Sequence, residues 1–139
     1  MDMDIATCIS AAGKHLNDTE TLHNHARYDN AAYLAGYVAE CAVKSILTGP
    51  GLPSHQELGH DLRLMTGNAL LLAAAISSGR RRYVLPGSQD FANLLETWKP
   101  NERYEKQGSV SALKAGSRLL AAREAYEQLI VPQLLDKTS

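Results

Sequence analysis

One segment, residues 27–47, constrains the fold of this chain more than any other, because its small residues recur at steps of three and four. They are Ala31, Ala35, Ala39 and Ala42. Residues at this spacing share one face of an α-helix, and their short side chains let neighbouring helices approach closely. A helix of this length spans roughly 30 Å, enough to cross a small domain. We therefore predict that residues 27–47 form a central helix.

A second line of side chains runs beside the alanines and carries nearly all the polar groups of this segment. Its members are Asp29, Tyr33, Tyr37, Glu40 and Lys44. Glu40 and Lys44 have the favourable order for a surface ion pair, which would contribute only ~0.2–0.5 kcal/mol. Tyrosines four residues apart are ordinary packing in a helix, but in a groove they would offer stacking surfaces to a base. Both interpretations of this line, packing and ligand site, stay open.

The composition favours a single all-α domain. The chain has 139 residues, of which 45% are hydrophobic but only 6% aromatic, so it is able to bury an aliphatic, alanine-rich core. Few segments show the alternating, β-branched pattern of a strand. We predict one domain, residues 1–139, folded as a four- to five-helix up-and-down bundle.

Periodicity and capping signals predict the helices that surround the central one. A first helix is expected over residues 4–23, and a fourth from Ser88 until Lys99 and Pro100 stop it. A final helix should run over residues 109–131, where Pro132 ends or kinks it. Its predicted buried stripe is Ala112, Ala115, Leu119, Ala122, Tyr126 and Leu129.

A third helix is predicted between the central and fourth ones. Its start is open, because Ser54 and Glu57 have the form of a capping box while Asp61 is an equally good cap. Gly79 should stop it. The apolar positions that trace this helix are Leu58, Leu62, Met65, Ala69, Leu72 and Ile76.

Membrane spans and secretion signals are not expected. The longest apolar run, residues 69–76, is far shorter than the ~18 residues of a membrane span, and the first residues are acidic where a signal peptide would be basic. Cys8 and Cys41 lie at apolar helical positions and form no CxxC pair. We expect them to be reduced core residues of a cytoplasmic protein without a membrane partner.

The charge balance limits the possible partners. A net charge of −1 argues against wholesale binding to nucleic acid. Residues 80–123 nevertheless hold nine Lys or Arg against four Asp or Glu. Within them, residues 80–83 read Arg-Arg-Arg-Tyr, which would suit phosphate and base contacts, although we favour a solvated loop.

Neither a metal nor a cofactor is predicted. His15 and His23 lie eight residues apart on the first helix, and His25 follows in the turn. Paired metal ligands on a helix are normally four apart, so we expect exposed histidines. Residues 49–51, Gly-Pro-Gly, lack the flanking strand and the lysine of a nucleotide-cradling loop.

Three groups of residues carry a resemblance to known proteins. They are RYDNAAYLAGYVAECAVK over residues 27–44, His-Asp-Leu over residues 60–62, and Trp98 followed by Arg-Tyr-Glu at residues 103–105. With these groups in this order, the chain resembles the HEPN superfamily, small helical bundles of prokaryotic defence and toxin–antitoxin systems. It is most similar to members encoded beside minimal nucleotidyltransferases. The resemblance implies a four- or five-helix bundle, frequent homodimers, and binding of nucleotides or RNA.

One departure from the family concerns catalysis. Ribonuclease members carry Arg, four to six residues, then His near the final helix. Here all five histidines precede residue 61, and neither Arg27 nor Arg103 is followed by His at that spacing. The ribonuclease motif of the family is therefore missing, and the motif gives no ground for predicting an enzyme.

We carry three hypotheses. The first is a binding module that recognises a nucleotide or RNA, or partners a minimal nucleotidyltransferase. The second is a divergent, metal-independent endoribonuclease in which His60 serves as acid or base and Arg103 holds phosphate. The third is a purely structural dimerisation protein. The residues expected to bind a ligand are Tyr33, Tyr37, Glu40, Lys44, His60 and Arg103.

Overall fold

The computed structural model of the protein describes residues 3–48, 52–68 and 84–138. Within those ranges the chain is predominantly helical and contains no strand, which confirms the prediction of an all-α helical bundle. Among the described helices, none is both long enough and apolar enough to cross a membrane.

The first two long helices are antiparallel neighbours. Helix α1 (Met3–Asn24) and helix α2 (Tyr28–Leu47) match the predicted bounds within a few residues. A tight turn joins them, in which the Ala26 backbone has φ 58° and the Arg27 amide donates to the Leu22 carbonyl at 2.8 Å. This turn folds α2 back along α1, so that residues near the end of α1 face the start of α2.

The small-residue face of α2 is buried as predicted. Ala31, Ala35, Ala39 and Ala42 have no exposed surface. Helices α1 and α2 pack along their length, and the last helix covers α2 from another side, where Ala122 joins a small cluster of buried residues with Ala35. The short side chains therefore lie where helices approach one another.

The prediction of one continuous third helix is wrong. The chain forms two short helices instead, α3 (His55–Leu58) and α4 (Leu62–Gly67). Gly59 separates them with φ 69°, a left-handed conformation that interrupts a right-handed helix.

Both predicted caps of the third helix exist, one for each short helix. The Ser54 side chain accepts from the Glu57 amide in a capping box, and the Asp61 side chain accepts from the Leu64 amide. The backbone is extended at Asn68. The remaining predicted positions, Ala69, Leu72, Ile76 and Gly79, lie outside the described residues, as do residues 49–51 and 80–83.

Helix α5 (Gln89–Thr97) begins as predicted, since the Ser88 hydroxyl accepts from the Phe91 amide. Trp98 follows directly and is buried. Its indole lies against Gly36 of α2, and its Nε1 donates to the Tyr33 carbonyl at 2.9 Å. A 3-10 helix (Pro100–Tyr104) comes next. Trp98 therefore anchors this part of the chain to the middle of α2.

The last helix differs from its prediction at both ends. It comprises α6 (Ala112–Ala125), a π-helical segment (Tyr126–Ile130) and α7 (Val131–Thr138). Pro132 does not end the helix. A proline removes one amide donor and clashes with the carbonyl four residues earlier, and the wider π turn just before it accommodates this change in pairing.

The buried stripe of this helix is largely as predicted, because Ala115, Leu119, Ala122 and Leu129 are buried. Ala112 is exposed, contrary to prediction, and Tyr126 is half-buried. Ala112 is the first residue of α6, after the cap at Ser111, and α2 is covered by the turns that follow.

The contact between Gly36 and Trp98 yields a stability prediction. A Cβ added at Gly36 would lie 2.0 Å from Cε2 of Trp98, so Gly36→Ala should force the indole out of place. We expect a loss of about 1–3 kcal/mol in the free energy of unfolding, as for other overpacked cores. Urea unfolding followed by tryptophan fluorescence measures it.

Gly67→Ala is the matched control, because an added Cβ there meets nothing within 4 Å. It should leave the unfolding free energy unchanged or slightly raised, as expected for alanine in a helix. Equal unfolding curves for Gly36→Ala and the parent would contradict the packing described here.

Candidate functional site

A buried ion pair with a histidine above it forms the centre of the candidate site. Glu40 and Lys44 on α2 are 2% and 0% exposed, and their Oε2 and Nζ atoms lie 3.5 Å apart. His60, between α3 and α4, places Nδ1 at 3.0 Å and 3.1 Å from the two carboxylate oxygens of Glu40. Its side chain is 55% exposed. A buried carboxylate thus holds a histidine that faces solvent.

The carboxylate fixes the tautomer of His60. An ionised carboxylate only accepts hydrogen bonds, so Nδ1 of His60 must carry a proton and donate to Glu40. In the neutral ring the other nitrogen, Nε2, is then an acceptor; in the charged ring it becomes a donor. A ligand would therefore meet His60 at Nε2, which accepts a hydrogen bond when the ring is neutral and donates one when the ring is charged.

Aromatic side chains extend this centre along α2. The Tyr33 hydroxyl donates to the Tyr37 hydroxyl at 3.2 Å, and the Tyr37 ring meets Trp98 edge-on with centroids 4.9 Å apart. Tyr37 also lies edge-on to His60 at 6.4 Å. Burial raises the pKa of Tyr37 above its ordinary value, with a further contribution from Tyr33, so this phenol is neutral. Tyr33 and Tyr37 are both partly exposed.

Arg103 lies at the edge of this group rather than in it. It is fully exposed, its guanidinium lies 4.7 Å from the centre of the Tyr104 ring, and it donates to the Tyr104 hydroxyl at 2.6 Å. That hydrogen bond raises the pKa of Arg103 above its ordinary value, and Tyr33 and Tyr37 add smaller effects in the same direction.

The structure thus brings five of the six predicted ligand-binding residues into one connected set. These five are Tyr33, Tyr37, Glu40, Lys44 and His60. Arg103 remains at the edge, held by Tyr104. Within the set Glu40 and Lys44 are buried, so they would act through His60 rather than by direct contact.

Asp29, the first member of the polar line, has a structural role. Its two carboxylate oxygens accept from the amides of Gly108 at 2.6 Å and Val110 at 3.0 Å. These bonds tie the loop before α6 to the start of α2.

The expectation of exposed histidines on α1 is wrong for His15 and His23, which are both half-buried. His15 lies against Tyr37 with ring centroids 5.9 Å apart. Its Nδ1 is buried without a hydrogen-bond partner among the described residues, and burial lowers its pKa. His23 packs edge-on against Tyr28, whereas His25 is exposed as expected.

Sequence reasoning missed the ion pair that holds the 3-10 helix in place. Arg118 of α6 is 2% exposed and makes two hydrogen bonds to Glu102, one of them 2.9 Å long. It also donates to the Ala32 carbonyl at 3.3 Å and to the Thr97 hydroxyl at 3.2 Å. The sequence could have indicated a buried ion pair here, because the charged residue Arg118 lies next to the predicted buried positions Ala115 and Leu119.

Two pockets flank the 3-10 helix. The turn pocket has a volume of about 350 Å³ and lies by the α1–α2 turn, where Arg27, Asn30 and Arg103 are among its lining residues. The His60 pocket has a volume of about 560 Å³. Its lining residues are His60, Asp61, Leu62, Arg63, Leu95, Glu96, Trp98, Lys99, Pro100 and Asn101. Both volumes are in the range of small-molecule sites.

Cys8 and Cys41 are both buried, as predicted. Burial raises the pKa of Cys41 to about 12, and nearby Cys8 adds to the effect, so the thiol of Cys41 is protonated at neutral pH. In the part of the chain that the structure describes, no three His, Cys, Asp or Glu side chains are grouped to hold a metal ion.

Comparison with protein-family models, with curated proteins and with solved structures gave no match. The resemblance to HEPN proteins therefore depends on the three residue groups identified in the sequence.

The ion pair between Arg118 and Glu102 yields the second stability prediction. Glu102→Gln would remove one charge and leave the Arg118 guanidinium buried, and breaking a buried pair in this way typically costs about 3–5 kcal/mol. We expect a loss of that order in the free energy of unfolding, measured by urea titration.

The control is Glu105→Gln, an identical change at an exposed position one residue beyond the 3-10 helix. It should change stability by less than about 0.5 kcal/mol, as for other surface substitutions. If the two variants unfold at the same urea concentration, the pair does not stabilise the 3-10 helix.

Proposed function

We propose that this protein binds nucleotides or single-stranded RNA on the surface that runs from Arg103 past Tyr33 and Tyr37 to His60. One observation carries the proposal: the connected set on α2 ends in a half-exposed histidine held by a buried carboxylate, with a pocket on either side of the adjacent 3-10 helix. Two pockets suit a ligand of more than one nucleotide.

Each residue of this surface has a distinct role in the proposal. Arg103 is exposed, and its planar fork contacts phosphate, for which lysine is a poor substitute. Tyr33 and Tyr37 offer ring faces or edges to a base. Glu40 and Lys44 are buried and orient His60 from behind.

The biological setting is proposed from the resemblance to HEPN proteins. On that basis the chain is a cytoplasmic member of a toxin–antitoxin or defence system, and a minimal nucleotidyltransferase is its partner.

A second candidate function is a divergent, metal-independent endoribonuclease using His60 and Arg103. The specific observation in its favour is the contact between Glu40 and Nδ1 of His60, since a histidine oriented by a carboxylate serves as general base or acid in many enzymes. RNA cleavage that is lost in His60→Ala would support this candidate over binding alone.

We also propose that the protein is a homodimer whose interface uses the last helix. The resemblance to HEPN proteins implies dimers, and the exposed leucines on α6 support the choice of helix. Leu113 and Leu120 are 85% and 49% exposed and lie seven residues apart, so they share one side of the helix. A second copy would cover both.

Arg103→Ala tests the binding proposal. Removing a charge-assisted contact to phosphate should weaken binding of nucleoside monophosphates and short single-stranded RNAs roughly ten- to hundredfold at low salt. The salt dependence of binding should flatten by about one unit of slope. Calorimetric titration measures both, and the exposed position of Arg103 leaves the fold intact.

Arg123→Ala is the matched control. Arg123 is partly exposed, pairs with Glu20 of α1 at 3.0 Å, and lines neither pocket. Its loss should leave affinity unchanged. Absence of binding by the parent protein even at millimolar ligand would refute the proposal and favour a purely structural dimerisation protein.

The dimer proposal is tested by placing charges in the exposed leucine pair. The double variant L113E/L120E should sediment as a single chain of 15.1 kDa at concentrations where the parent is a dimer, because a buried carboxylate opposes association. Leu64→Glu changes another exposed leucine, on α4, and should remain dimeric. A parent that sediments only as one chain at micromolar concentration contradicts the proposal.

A further inference from the structure

The His60 pocket carries a balance of charges that depends on His60 itself. Its lining contains two cations, Arg63 and Lys99, and two carboxylates, Asp61 and Glu96. Arg63 and Glu96 lie 3.5 Å apart, and Asp61 caps α4. With His60 neutral, the titratable groups of the lining sum to zero. With His60 protonated, they sum to +1.

The groups behind His60 do not alter this balance. Glu40 and Lys44 on α2 form a pair of opposite charges. Tyr37 on α2 is a neutral phenol because burial raises its pKa, and His15 on α1, behind Tyr37, is held toward its neutral form because burial lowers its pKa. The proton on Nε2 of His60 therefore decides whether the pocket is neutral or carries a charge of +1.

Hydrogen bonding independently requires a protonated His60 when the ligand is a phosphate. Glu40 occupies Nδ1 of His60, so a ligand meets Nε2. A neutral Nε2 is an acceptor and repels the lone pairs of a phosphate oxygen, which is an acceptor too; a protonated Nε2 donates to it.

We propose that the His60 pocket is a phosphate-binding subsite of the proposed nucleotide or RNA surface, and that it fills only with uptake of a proton by His60. The inference rests on the proposed function, since it concerns how the same surface recognises its ligand. It adds a ligand group, a phosphate oxygen at Nε2 of His60, and a dependence on pH that binding by Arg103 alone would not have.

The direction of the pH dependence follows from linkage. If the complex holds one more proton than the free protein, lowering the pH favours the complex. Histidine is the side chain that changes charge between about pH 5 and 8. Affinity should therefore rise by up to about tenfold per unit as the pH falls through this range.

The test is calorimetric titration of the full chain with 2′-O-methyl UpU at several values between about pH 8 and 6. The phosphodiester of this dinucleotide keeps one charge throughout the range, and its blocked 2′ oxygen prevents cleavage. We expect affinity to rise as the pH falls. Repeating the titration in buffers of different ionisation enthalpy should reveal uptake of about one proton per ligand.

Two variants separate His60 from other titrating groups. His60→Gln keeps an amide that is able to donate to Glu40 but holds no titratable proton, and it should bind equally weakly at all pH values. His25→Gln removes an exposed histidine that lines neither pocket and should retain the pH dependence of the parent. Thermal melting of both variants checks that they are folded.

The possible failures are distinguishable. If UpU binds with the same affinity at every pH, or if His60→Gln keeps the pH dependence, the proton-coupled subsite is refuted while the proposed function stands. If UpU and longer RNAs bind at no pH, the proposed function is refuted, and the inference with it.

Discussion

The close packing of α2 is the constraint on which the rest of the structure depends. Side chains no larger than alanine let helices approach to the short end of the usual 8–10 Å separation. At Gly36 even a methyl group is absent, and the Trp98 indole occupies that space. Because Trp98 directly follows α5 and precedes the 3-10 helix, this contact determines where the segment carrying Arg103 crosses α2.

Two buried ion pairs complete the arrangement around α2. Burying a charge without a partner costs several kcal/mol, so each pair constrains the elements that contribute to it. Arg118 and Glu102 join the last helix to the 3-10 helix, while Glu40 and Lys44 lie within α2 and engage the loop before α4 through His60. Both pairs restrict the geometry of the surface between Arg103 and His60.

The buried and exposed members of this region have different physical roles. Glu40 cannot reach a ligand, yet it determines which nitrogen of His60 carries a proton. Arg103 is free of such constraint, apart from its contact with Tyr104. His60, held by Glu40, lines one pocket, and the exposed Arg103 lines the other.

The features that the sequence predicted correctly are those governed by local interactions. The all-α class, the bounds of α1 and α2, the buried alanine face and the Ser88 cap of α5 all follow from periodicity and capping. The prediction failed where two capping signals competed. Ser54 and Asp61 each cap a short helix, because the backbone at Gly59 has a positive φ and interrupts the helix between them. The predicted single helix was therefore wrong.

The candidate site was also predictable only where helical spacing determines it. Helical spacing alone placed Tyr33, Tyr37, Glu40 and Lys44 on one line. In the structure the two tyrosines contact each other, Glu40 pairs with Lys44, and His60 links the two pairs. Sequence did not determine that Glu40 and Lys44 are buried while His60 is half-exposed, nor that Arg118 pairs with Glu102. Helix periodicity specifies which residues share a face, but burial and pairing depend on which distant segment packs against that face, and only the tertiary structure decides that.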